Sequence, residues 1–144
     1  MARIEFHFNA PALVPYACRL LRKVQARGLR AQVIGSDSLL SQLDQALWTF
    51  SPLDFLSHCA ADAPSPMRDA SVVLLSAQPL QDWHREVVIN LGEQVLENFD
   101  TFQRVIDVVS VDELHRAQGR ERWRQYGRLG HELVRHDLSP TRDA

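Results

Sequence analysis

The sequence predicts an α/β fold, a three-layer α/β/α sandwich built on a mainly parallel central sheet. Three observations predict it. Short β-rich runs alternate with helical runs from the first residues onward. The connections between them are short, so each helix must return over the sheet it left. A chain of 144 residues with 45% hydrophobic content is long enough to bury one ordinary core.

The elements follow in order. RIEFHF alternates and is β-rich, so residues 3–8 read as a strand. In residues 10–28, Leu13, Ala17, Leu20, Leu21 and Val24 recur at helical spacing, and Gly28 stands where a C-terminal cap is expected. RAQVIGS is a short apolar strand ending on Gly35. Residues 36–50 read as a helix capped by Ser36 or Asp37, with Leu39, Leu40, Leu43, Ala46 and Leu47 facing inward. The middle is less regular. DFLSH (54–58) reads as a short strand and AADAPSPMRDA (60–70) as a Pro-rich loop. SVVLLSA (71–77) and EVVINLG (86–92) are strands by composition, QVLENFDTFQ (94–103) is a short helix, and RVIDVVS (104–110) is the last strand. The final helix begins near Ser110 or Asp112 and is expected to end or bend between Gly127 and Gly130. Gly119, Gly127 and Gly130 each weaken it by about 1 kcal/mol relative to Ala. The run VRHDLSPTRDA is expected to fray, so one domain covers residues 1–136 and residues 137–144 form a tail.

Composition narrows the function. The net charge is −2 and the pI about 6.3, whereas a protein whose main work is gripping a nucleic-acid backbone is more often basic overall. Arg outnumbers Lys fifteen to one, which a GC-rich genome explains as readily as selection for guanidinium. Cys18 and Cys59 lie far apart, with no zinc or redox spacing, and read as reduced, half-buried thiols. With no apolar leader and no run approaching about 18 apolar residues, a cytoplasmic location and no membrane association are expected.

Catalytic and cofactor motifs are absent. There is no G-x-x-x-x-G-K-[ST], no G-x-G-x-x-G after the first strand, and no G-x-S-x-G elbow. His58 and Cys59 are neighbours in sequence, which does not bring a thiol to an imidazole, and they read as wall residues. His131 and His136 are five apart, off the spacing that puts two ligands on one helix face. Asp82, His84 and Glu86 alternate as an exposed strand edge would. No cofactor and no metal site is expected.

Two surfaces suit a partner. Arg116, Arg120, Arg124 and Arg128 recur every fourth residue, and on a helix this keeps the side chains nearly in line, drifting about 40° per step. Guanidinium forks bind carboxylates or phosphates, and the indole of Trp123 among them can hold an apolar anchor. Glu113 and Glu121 are the nearby acids, too few to offset these four and Arg122. The second surface is the aromatic corner of Trp48, Phe50 and Phe55, equally consistent with a core corner and with an interface hot spot.

At LDQALWTFSPLDFLSH and RERWRQYGRLG, the latter preceded by the RVIDVVS strand, the chain resembles the chi subunit of the bacterial DNA polymerase III holoenzyme. The resemblance implies a Rossmann-like sandwich without a phosphate-binding loop. It also implies a non-catalytic accessory subunit of the clamp loader that pairs with the psi subunit, holds the acidic C-terminal tail of single-stranded-DNA-binding protein, and meets nucleic acid mainly indirectly. On the matching positions, the tail would fall on Arg116, Arg120, Trp123 and Arg124 with Val109 nearby, and psi around Trp48 and Phe55. Trp123 stands where the family often has Tyr, and Gly127 where a member has Arg. Two other classes compete: a single-strand-binding domain using Trp123 as a stacking platform, and a nucleotide-dependent enzyme with a degenerate loop.

Overall fold

The computed structural model describes residues 2–49 and 56–139. Seven strands form one sheet in which every pairing is parallel. They are β1 (Arg3–Ala10), β2 (Ala31–Ile34), β3 (His58–Ala60), β4 (Val73–Ser76), β5 (Val87–Asn90), β6 (Arg104–Ser110) and β7 (Leu133–Asp137), in the spatial order β3-β4-β2-β5-β6-β1-β7. The helices are α1 (Leu13–Ala26), α2 (Asp37–Thr49), α3 (Ser65–Ala70) and α4 (Glu113–Arg128). A parallel sheet must be covered on both faces, and this one is.

Strand alternation decides what lies on each face. In β6, Ile106 and Val108 join α1 and α2 through Cys18, Leu21, Leu43 and Leu47, while Val105 and Val109 join Phe6, Tyr126 and half-buried Trp123. Fully burying a side chain such as Leu21 contributes about 1.5–3 kcal/mol. A smaller group, Cys59, Leu74 and Trp83, closes the far end of the sheet on the α4 side. Cys18 and Cys59 are free and buried, more deeply than the half-burial expected. Among the described residues no helix is long and apolar enough to cross a membrane.

Helix ends follow local chemistry. Ser36 caps α2, its Oγ accepting from Leu39 N–H at 3.2 Å. Asp112 caps α4, accepting from His115 N–H at 3.1 Å. Gly28 and Gly130 carry positive φ just beyond α1 and α4, so both helices stop where glycine lets the backbone turn left-handed.

Four expectations are corrected. The Pro-rich run contains α3, because Pro64 and Pro66 sit at its start, where a missing N–H costs nothing. The expected helix over 94–103 is a single 3₁₀ turn, Phe99–Thr101, whose entry Asn98 has φ 53° and breaks any longer helix. The expected strand over 54–58 lies instead at His58–Ala60, and residues 54 and 55 fall outside the described residues. The described part of the C-terminal run is ordered in a strand, while residues 140–144 lie outside the described residues. That strand is β7, alongside β1, and Leu138 N–H donates to Phe8 C=O at 2.9 Å.

Candidate functional site

Helix α4 is seated on the sheet by residues 119, 122 and 126, all buried and spaced for one helical face. Gly119 is there because β6 comes too close for anything larger. A Cβ at that position would lie 2.8 and 2.9 Å from the two Val109 methyls. Its role is close approach, not the weakness the sequence suggested.

Arg122, counted from sequence among the uncompensated charges of this helix, is instead buried. It is 1% exposed, and its guanidinium grips the equally buried Asp107 of β6, with Nη2–Oδ1 at 2.7 Å and Nε 3.1 and 3.0 Å from the two oxygens. Its Nη1 donates to Glu93 C=O at 2.8 Å. Burial pushes the Asp107 carboxyl up, and the guanidinium opposes that. This pair belongs to the core, so Arg122 adds nothing to the surface charge. Beside it, His115 Nδ1 accepts from Ser110 N–H at 2.9 Å, and burial followed by the Arg122 charge holds its pKa below the ordinary 6.5.

One flank of α4 looks over β1 and β7, and there a cavity of about 360 Å³ opens. Arg116, Gly119, Arg120 and Trp123 line it from the helix, Val109 from β6, Phe6, Phe8 and Asn9 from β1, and Arg135 from β7. Four of the five residues the sequence nominated for an acidic tail, Arg116, Arg120, Trp123 and Val109, therefore share one cavity. The fifth, Arg124, does not line it. The 40° drift has carried it round to an exposed position beside Glu121, with Nη1–Oε2 at 3.2 Å. Arg128 leans the same way, 4.0 Å from Glu121.

The cavity has an apolar floor and a cationic mouth. Trp123 meets Phe6 edge to face at 5.1 Å between ring centroids, next to the buried Val109. Arg135 lies with its guanidinium carbon 5.1 Å from the Phe8 ring centroid and 5.9 Å from that of Trp123. Arg116 has an exposed partner, Glu113, at 3.7 Å. Arg120 has no ion pair among the described residues. None of the lining residues is acidic.

Sequence reasoning missed Phe6, Phe8, Asn9, Gly119 and Arg135. The alternation Phe6/Phe8 was a usable signal for the first two, but Arg135 was hidden by reading β7 as a tail. Asn9 joins the two strands at the rim. It adopts φ 63° and donates from Nδ2 to Asp137 Oδ1 at 2.9 Å. Hydrogen bonds from Ser139 and then Asn9 lower the Asp137 carboxyl to about 2.

Of the aromatic corner, the structure describes Trp48 alone. Trp48 is 59% exposed at the end of α2 and meets the His58 ring at 5.1 Å, and His58 Nε2 reaches Asp44 at 3.1 Å. Phe50 and Phe55 lie outside the described residues. Asp82 pairs with Arg68 at 3.4 Å while His84 bonds Arg30. A larger cavity, about 1020 Å³, opens at the C-terminal ends of β2 and β5, where open α/β sheets commonly bind nucleotides. Its lining includes Glu93 and Glu97 and no Lys or Arg, so its electrostatics oppose a phosphate.

Comparison with known proteins gives this arrangement its family. A protein of Pseudomonas aeruginosa called "DNA polymerase III subunit chi" is 29% identical over 143 residues, 96% of this chain and 98% of its own length. One of the same name from Haemophilus influenzae is 27% identical over 114 residues, 76% of each chain. Residues 1–134 match the family described as "DNA polymerase III chi subunit, HolC". That match covers every element down to the start of β7, and the chain belongs to the DNA polymerase III chi subunit family.

Proposed function

We propose that this chain is a non-catalytic accessory subunit that links the clamp loader, through the psi subunit, to single-stranded-DNA-binding protein by holding that protein's acidic C-terminal tail. The observation that carries the proposal is the cavity with three guanidinium groups, an apolar floor and no acidic lining residue. Carboxylates of the tail pair with Arg116, Arg120 and Arg135, and the apolar terminal side chain enters beside Trp123, Val109 and Phe6. Arg124 stands outside this pocket as a long-range positive charge. Trp48 offers psi an exposed indole, and Phe55 follows it in sequence.

Exposed ion pairs contribute about 0.2–1 kcal/mol each, so the affinity is modest and falls with salt. Arg120 carries the largest share, since no carboxylate of the described chain competes for it, whereas Arg116 must leave Glu113. Isothermal titration of an acidic tail peptide ending in an apolar residue tests this. Affinity falls in Arg120→Ala and in Trp123→Ala, with folding retained by circular dichroism. Wild-type affinity in either variant refutes the assignment. Fluorescence titration with oligo-dT separates the competing single-strand-binding class. This proposal requires weak binding to DNA alone and strong enhancement when the tailed protein is present.

A further inference from the structure

On the face of β1 turned away from the cavity, Glu5 and His7 lie beside His136 of β7, and one ligand atom from each falls within 4.8 Å of the others. The pairing register creates this meeting, because His7 stands opposite His136 and Glu5 is two residues back on the same face. Glu5 Oε1 is 3.6 Å from His7 Nε2 and 3.3 Å from His136 Nε2. Ligand atoms about 2.0–2.1 Å from a tetrahedral ion stand roughly 3.3 Å apart, and the two separations from Glu5 Oε1 are close to that.

Three further features point to a ligand. His7 Nε2 is buried and faces Glu5 Oε1 at 3.6 Å, too long for a normal hydrogen bond, so this polar atom aims into the cluster without a close partner. His7 Nδ1 is engaged by the Tyr16 hydroxyl, which fixes the ring with Nε2 inward, as outer-shell partners of metal-bound histidines do. The Glu5 carboxylate is divided. Its Oε2 accepts from Arg104 Nε at 2.7 Å, with Arg3 at 3.7 Å, and Oε1 is left for the imidazoles.

We propose that Glu5 Oε1, His7 Nε2 and His136 Nε2 bind a divalent transition-metal ion, Zn²⁺ by donor chemistry, with a fourth position open to solvent beside half-exposed His136. Two imidazoles and one carboxylate suit zinc and its neighbours, whereas magnesium and calcium take oxygen ligands. The charges of Arg3 and Arg104 oppose a dication, so the binding is selective for ions that gain most from nitrogen donors. Such an ion would cross-link β7 to β1 at the sheet edge.

The test is a Co²⁺ titration of the full-length, tag-free protein followed by visible absorption, with Zn²⁺ as competitor. The proposal expects one equivalent of Co²⁺ with the d–d band of a four-coordinate nitrogen/oxygen site, displaced by Zn²⁺. It expects binding at least roughly tenfold weaker in His136→Gln, a change at a half-exposed edge position. No such band, or an unchanged band in His136→Gln, overturns it. Should that variant fail to fold, the wild type still decides by its melting temperature. A rise with one equivalent of Zn²⁺ and none with Mg²⁺ supports the site, and no Zn²⁺-dependent rise refutes it.

Discussion

Replacing Gly119 with Ala sets two effects of opposite sign against each other. In a free helix the change is worth about 1 kcal/mol of added stability. Here the new methyl would stand 2.8 and 2.9 Å from the Val109 methyls, against an ordinary carbon–carbon separation of about 3.5–4.0 Å. Either α4 moves off β6 by roughly 0.7 Å or more, or the buried Val109 must shift. Overpacking of this kind costs about 1–3 kcal/mol, so the net change is between roughly zero and 2 kcal/mol destabilising. Urea unfolding followed by circular dichroism reads it as a midpoint that stays or falls with an unchanged slope. Repeating the substitution in a Val109→Ala background removes the obstructing methyls, and there Gly119→Ala becomes neutral or stabilising. A higher midpoint for Gly119→Ala alone, or the same cost in both backgrounds, would refute close approach as the reason for this glycine.

Other consequences follow from the same contacts. Asp107→Ala strands a buried guanidinium and costs about 3–5 kcal/mol in chemical unfolding, while replacing both partners with apolar residues costs much less. A double-variant cost equal to the sum of the two single-variant costs would show that the pair is not coupled. His115, held below its ordinary 6.5 by burial and Arg122 against the smaller effects of a backbone hydrogen bond at Gly92 and of Asp107 and Asp112, stays neutral in the fold while the unfolded chain takes up a proton. Its contribution to stability is full above about pH 6.5 and is lost as the pH falls towards the folded-state pKa. His115→Gln flattens this slope in pH-dependent unfolding, and an unchanged slope would contradict the reading. Arg124→Ala weakens tail-peptide binding less than Arg120→Ala by isothermal titration, and the reverse order would move the proposed pocket along the helix.

Much of the fold was legible because local pattern and tertiary placement agree. β6 was read with its observed bounds, since RVIDVVS is rich in β-branched residues and begins and ends on the polar Arg104 and Ser110. β7 was not read, because Leu133–Asp137 is half polar, and its strand character comes from pairing with β1, a non-local property. That omission hid Arg135 and His136 together, one on each face of the strand. The arginine stripe was legible as a helix face but not as a division of labour. Arg122 lies about 200° around the helix from Arg120, and only the fold tells which side meets the sheet. One signal was present and unused. Asp107 inside an apolar strand implies a buried carboxylate, and a buried carboxylate needs a cation. The resemblance carried the choice of partner, which charge and spacing could describe only as something acidic with an apolar end.

The most direct test of the central claim uses the intact partner. Full-length single-stranded-DNA-binding protein, and the same protein lacking its last residues, are immobilised and offered this chain at low and moderate salt. The account predicts capture by the full-length protein at low salt, weaker capture as salt rises, and none by the truncated form. Equal capture by both forms would contradict it.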